Sequence, residues 1–367
     1  MAIELAEIFR RYGEAYRLKY AARMPSTHLK VMRAIERCRT EALGGQVYRC
    51  PDCDHIQYSY HSCRDRHCPK CQNENAQQWL EKQQSMLLPV PYFLLTFTVP
   101  AGLNEVARSH QSLFYGLLFK SSAAAAQRLA EDRRFIGGQI GMVGVLHTWG
   151  RNLAYHPHIH YLVPAGGAAT DTGAWVPARH QFLLPVRALS RIFRAKFRDA
   201  LKGSGCFARI PAKVWSQEWV VHCEPVGSGL NALKYLAPYI FRVAISNNRI
   251  LKLEDERVTF RYRDTDTGQE RYCKLGVEDF IHRFLQHVLP KSFVKVRYYG
   301  LFSPGARKKL TALRENLEDG KPSQPGSVEN PDCHNAMQES SKPLRCPVCG
   351  QLMTPGSFIS PTGLSPP

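Results

Sequence analysis

Apolar residues at Leu5, Ile8, Phe9 and Tyr16 recur at helical spacing. A second set at Leu29, Met32, Ile35 and Cys38 follows the cap signal at 24–27, so residues 1–45 read as two helices closed by Gly44-Gly45. A helix over 79–88 ends at Pro89 and Pro91, and YFLLTFTV at 92–99 reads as a buried strand. Residues 103–134 return to the helical period, and 142–147 read as a strand. A further strand carries Tyr155, His156, Pro157, His158, Ile159, His160 and Tyr161, then Leu162, Val163, Pro164 and the turn pair Gly166-Gly167. Leu189, Phe193, Phe197 and Leu201 form the apolar stripe of an amphipathic helix over 186–202. Strand signals follow at 219–222, 249–253, 257–263, 270–275 and 293–299, with helices predicted over 229–243 and 277–289. From about 318 the chain is polar and rich in Pro and Ser, which predicts disorder.

The 367 residues, 44% of them apolar, suffice for two or three domains with substantial cores. No apolar run approaches the roughly 18 residues of a membrane helix. The N-terminus mixes acids and bases through its apolar positions and is no signal peptide, so a reducing cytoplasm is expected. Lys plus Arg outnumber Asp plus Glu by 49 to 31, a net charge of +18. That excess points first to nucleic acid and second to an anionic membrane.

Five of the 12 cysteines fall between Cys50 and Cys71. Cys50-x2-Cys53 and Cys68-x2-Cys71 have the knuckle spacing of a tetrahedral zinc site, which predicts a structural Zn2+ on these four thiolates. Cys63 and His67 are spare ligands, and Arg64, Arg66 and Lys70 offer phosphate contacts or a solvated face. Cys346 and Cys349 make half of another site, which Cys333 and His334 would complete.

On a strand, alternate side chains share a face, so His158 and His160 point the same way while Ile159 enters a core. Two neutral imidazoles so placed can clamp a divalent metal. His156 shares their face if the strand reaches back through Pro157. Arg187, Arg191, Arg194 and Arg198 lie along the polar side of the 186–202 helix, a phosphate track or an ordinary basic surface. Tyr235 and Tyr239 stand four apart with Arg242 a turn further, and Pro238 kinks that helix or delays its start. Beside a metal and DNA, a tyrosine hydroxyl can attack a phosphodiester and keep the bond as a phosphotyrosine.

The histidine pair followed by two tyrosines resembles the HUH endonuclease superfamily. CRDRHCPKCQ, LHTWGRNLAYHPHIHYLVPAGG, KYLAPYIFRVAISNNRI and VEDFIHRFLQHVLPKSFVKVRYYG together resemble the two-tyrosine rolling-circle transposases of bacterial insertion sequences, over most of residues 20–305. The resemblance implies an α+β fold: a palm-like (ferredoxin- or RRM-like) core, its central antiparallel sheet flanked by helices, behind a small helical zinc-binding domain. The expected domains are 1–90 for zinc and DNA binding, 91–305 for catalysis and 306–367 as a disordered tail. It implies catalytic Tyr235 and Tyr239, a catalytic Mg2+ or Mn2+ on His158 and His160, and structural zinc on the N-terminal cysteines. His156 is the first choice for a third ligand and His147 the second; a carboxylate or glutamine would also serve. The expected partners are single-stranded DNA, the element ends and target DNA, with no membrane and with room for a homo-oligomer. Expected DNA contacts are Arg242 and the arginines of the 186–202 helix. The rival readings are a plasmid replication initiator or relaxase of the same chemistry, a water-using phosphodiesterase, and a zinc-dependent nucleic-acid-binding protein without catalysis.

Overall fold

The computed structural model describes residues 3–71, 83–84, 86–231, 233, 243–264, 267–319 and 344–362. Fourteen strands form four antiparallel sheets among these residues. The strands are β1 (Gly45–Arg49), β2 (Ile56–Tyr60), β3 (Pro91–Thr98), β4 (Gly138–Gln139), β5 (Gly141–Trp149), β6 (Tyr155–Pro164), β7 (Gly166–Ala169) and β8 (Trp175–Pro177). They continue as β9 (Val221–Ser228), β10 (Ile250–Glu254), β11 (Arg257–Arg263), β12 (Glu270–Gly276), β13 (Val296–Gly300) and β14 (Thr354–Ile359).

The largest sheet has five strands in the order β13-β5-β6-β3-β9. Its core-facing side alternates with the histidine side along each strand. Phe97 on β3 pairs with Ile159 on β6, and both are fully buried. Against that face pack the helices Gln111–Ala130 and Val186–Lys202. Phe97 meets Phe193 edge-on at 5.1 Å between ring centres, and Phe114 meets Phe197 at 5.2 Å. Gly144, opposite Tyr161, is required here: a Cβ would lie 2.4 Å from the Tyr161 ring. The reverse face carries Tyr92, Leu94, Val143, Val145 and Leu162, covered in part by Leu310 and Leu313 of the helix Arg307–Asp319.

The N-terminal helices Leu5–Tyr20 and Ser26–Arg37 do not stand apart from the later chain. Leu5, Phe9, Met32 and Ile35 share a core with Ile250, Phe260, Phe280 and Phe284. The three-stranded sheet β10-β11-β12 and the helix Val277–Leu285 supply that partner surface. An amphipathic helix gains most of its stability from such packing rather than from propensity.

One expectation needs correction. Within the 306–367 segment expected to be disordered, Arg307–Asp319 is a helix and Thr354–Ile359 forms β14, paired to β1. Strands β1 and β2 form a hairpin around the Cys50–Cys53 turn. Half of the expected helix over 79–88 and most of that over 229–243 lie outside the described residues. No helix among the described residues is long and apolar enough to cross a membrane.

Phe9 is fully buried and packs edge-on to Phe284 at 5.5 Å. Phe9→Ala is therefore expected to lower the unfolding free energy by about 3–5 kcal/mol. Chemical denaturation measures the loss, and hydrogen exchange should show helix Val277–Leu285 loosening with it.

Candidate metal centre and nucleic-acid interface

The β5–β6 pairing sets His147 directly opposite His158, and Val145 opposite His160. These side chains therefore share one face of the sheet. One ligand nitrogen from each of His147, His158 and His160 lies within 4.8 Å of the others. The ring centres stand 4.8 Å apart for His158–His160, 5.0 Å for His147–His160 and 5.4 Å for His147–His158.

Neighbours orient two of the rings. The Thr96 hydroxyl lies 2.9 Å from His160 Nδ1, and the His156 carbonyl oxygen lies 2.7 Å from His158 Nδ1. Each contact leaves Nε2 to face a metal, which is how outer partners fix a ligand tautomer. Burial holds His158 down to about 4 and His160 down to about 3, so both are neutral lone-pair donors at ordinary pH. His147 is buried against Trp149, their rings stacked at 5.0 Å. The Lys295 ammonium sits over the Trp149 ring at 5.1 Å, and burial pushes its pKa down to about 7.

The expected third ligand is corrected by this geometry. His156 stands outside the ligand group, exposed at the start of β6, and contributes its carbonyl rather than its ring. His147, the second choice, stands in the cluster with His158 and His160 instead. Thr96, Trp149 and Lys295 had no signal in the sequence, because nothing local marks a residue as a cross-strand neighbour. His287 shows the ordinary alternative for a histidine: it is buried, with its nitrogens on Leu153 and Thr148.

Tyr235, Tyr239 and Arg242 lie outside the described residues. Leu233, two residues before Tyr235, is buried in the apolar cluster that includes Val145 and Leu162. The helix Val186–Lys202 packs on the opposite face from the histidines. Arg187, Arg191 and Arg194 line a groove of about 390 Å³ there with Trp219 and Glu218, while Arg198 is exposed further along. Arg194 also donates to the Gln217 carbonyl. A second basic recess of about 300 Å³, missed in the sequence, brings Arg151 of the β5–β6 turn to Arg249, Arg261, Tyr262 and Arg263.

The predicted zinc quartet separates into two groups. Cys68 and Cys71 join Cys38 and Cys63, whereas Cys50 and Cys53 meet Cys346 and Cys349. Cys38 caps the helix Ser26–Arg37, so the first group ties that helix to the 63–71 loop. Its Cys38–Cys71 and Cys63–Cys71 sulfurs are 3.5 and 3.6 Å apart. A tetrahedron with Zn–S bonds near 2.3 Å has edges of about 3.8 Å, so four thiolates fit zinc well. His67 is not a ligand, since its Nε2 accepts the Leu289 backbone N–H at 3.2 Å. Nor are the adjoining bases all turned to a partner outside: Arg66 donates to the carbonyls of Phe293 and Pro290, and Lys70 pairs with Glu4.

A family model described as "Putative transposase" matches residues 141–310, the span holding all three clustered histidines. A second, described as "Transposase zinc-binding domain", matches residues 8–99, which hold the first cysteine group. "Putative transposase y4qJ" of Sinorhizobium fredii is 40% identical over 386 aligned positions, spanning 98% of this chain and 96% of its own. The "Transposase for insertion sequence element IS801" of Pseudomonas savastanoi pv. phaseolicola is 28% identical, with 88% of this chain and 82% of its own covered. No solved structure matches. With the zinc-binding module and the histidine sheet in one chain, and a relative matched nearly end to end, the protein belongs to the IS91-type transposase family.

Proposed function

We propose that this transposase nicks and rejoins single-stranded DNA at the ends of its element through covalent 5′-phosphotyrosine intermediates, moving the element by a rolling-circle route on a palm-like HUH core. The observation that carries this reading is the convergence of His147, His158 and His160 on one sheet face, with Thr96 and the His156 carbonyl orienting two of them. A divalent ion held there would polarise the scissile phosphate. Tyr235 would serve as the first nucleophile. Tyr239 would serve as a second nucleophile, and two successive adducts are what strand transfer needs. The recess around Arg151 and Arg261, beside the β5–β6 turn, suits a single strand's phosphates, with Tyr262 available for base stacking. The arginine groove of the helix Val186–Lys202 suits contacts on the side of the sheet away from the histidines.

Three outcomes test this. A labelled single-stranded oligonucleotide carrying an element end, incubated with Mg2+ or Mn2+, should give a DNA–protein adduct that survives denaturation. The adduct should vanish in the Tyr235→Phe/Tyr239→Phe double variant. Cleavage that persists there without an adduct would establish a water-using phosphodiesterase instead. Excision and integration of a marked element in cells separates the transposase from a replication initiator.

The donor set also predicts a metal preference. Mg2+ is a hard cation that favours oxygen ligands, so three imidazoles should hold Mn2+ more tightly. Half-maximal cleavage is expected at lower Mn2+ than Mg2+, and Thr96→Val should raise both concentrations by roughly 10–100-fold. Finally, Arg151→Ala and Arg261→Ala should each flatten the slope of log affinity against log salt by roughly 0.7 on single-stranded DNA. An unchanged slope in both would remove the recess from the DNA path.

A further inference from the structure

Cys50–Cys53 and Cys346–Cys349 come from opposite ends of the chain and fold into the same turn. In the first, the Cys50 N–H donates to the His55 carbonyl at 2.9 Å and the Asp54 N–H to the Cys50 carbonyl at 3.1 Å. In the second, the Cys346 N–H donates to the Gln351 carbonyl at 2.8 Å and the Gly350 N–H to the Cys346 carbonyl at 2.9 Å. The fifth residue of each turn is left-handed, with φ of 55° at Asp54 and 78° at Gly350. The two turns face each other, with Cys50 and Cys349 sulfurs 3.4 Å apart and Cys53 and Cys346 sulfurs 3.6 Å apart. These separations match the roughly 3.8 Å edge of a Zn–thiolate tetrahedron and far exceed the roughly 2.05 Å of a disulfide.

We propose that Cys50, Cys53, Cys346 and Cys349 hold a second zinc ion, and that this ion fastens residues 344–362 to the N-terminal sheet. Apolar burial cannot hold that segment alone. Only Cys50, Cys346 and Met353 form its buried core, with Tyr48 and Leu344 partly covered, and β14 has five exposed residues and one half-buried. The pairing of β14 with β1 is interrupted by a register shift between Gln46 and Tyr48. A metal whose binding energy is also folding energy supplies what so small a core lacks. The ion closes a chain loop 293 residues long between Cys53 and Cys346. The result is a zinc ribbon, one knuckle from each end of the molecule, separate from the Cys38, Cys63, Cys68 and Cys71 group.

Metal analysis of the full chain, purified under reducing conditions, should find about two zinc ions per molecule. The Cys346→Ser/Cys349→Ser variant should keep about one, and hydrogen exchange should show the amides of β14 losing protection while those of the helix Ser26–Arg37 keep theirs. Cys38→Ser/Cys63→Ser should lose the other ion. One zinc in the unaltered chain, or two in Cys346→Ser/Cys349→Ser, overturns the site, as does a mass deficit showing Cys50–Cys349 or Cys53–Cys346 disulfides. Protection of β14 that survives loss of the ion overturns the fastening.

Discussion

The register between β5 and β6 is the constraint on which the histidine face depends. The two strands close through a tight turn at 150–154, held by the Gly150 N–H to the Ala154 carbonyl, and a one-residue register shift between His147 and Trp149 then sets His147 opposite His158. Side chains alternate with period two, so a slip of β6 by one residue would send His158 and His160 to the packed face, away from His147, and bring Ile159 out. The aromatic core prevents that slip. Ile159 and Tyr161 are fully buried against Phe97 and Phe119, and Gly144 leaves the gap that the Tyr161 ring fills. The histidine cluster is thus positioned by residues on the far side of the same strands.

Much of this was legible in the sequence, for a local reason. The His158–His160 spacing states a shared strand face, and the apolar periods at 92–99 and 186–202 state the packing that fixes it. The third imidazole was not legible in the same way. His156 shares the strand and the parity of His158 and His160, and its ring stands 5.2 Å from that of His158, yet it is exposed and falls outside the cluster. His147 belongs only through a cross-strand pairing, which no spacing within one segment encodes. Thr96 and Lys295 were invisible for that reason as well.

The cysteines show a sharper form of the limit. Two CxxC pairs separated by 14 residues satisfy the spacing rule for one site, and the rule is silent on which pairs share an ion. Partnership is decided by what lies between. Here β1 and β2 form a hairpin that carries Cys50 and Cys53 away from Cys68 and Cys71. The helix Ser26–Arg37 then presents Cys38 to the vacated positions, and β14 brings Cys346 and Cys349 to the other pair. Cys38 looked like a core position because it continues the helix's apolar stripe, and a buried thiol serves equally as a small hydrophobe or as a ligand.

The two modules are mechanically joined, and the join runs through the metal-binding loop. Arg66 and His67 lie between Cys63 and Cys68, and both are tied to the backbone of residues 289–293. Three residues later that backbone becomes β13, whose partner strand β5 carries His147. Lys295, on the same connection, reaches over the Trp149 ring that stacks on His147. Loss of zinc from the Cys38, Cys63, Cys68 and Cys71 group would therefore free the loop that braces the edge of the histidine-bearing sheet. Of the basic residues in that loop, Arg66 is spent on this brace, on two carbonyls, and Lys70 is paired with Glu4 of the N-terminal segment.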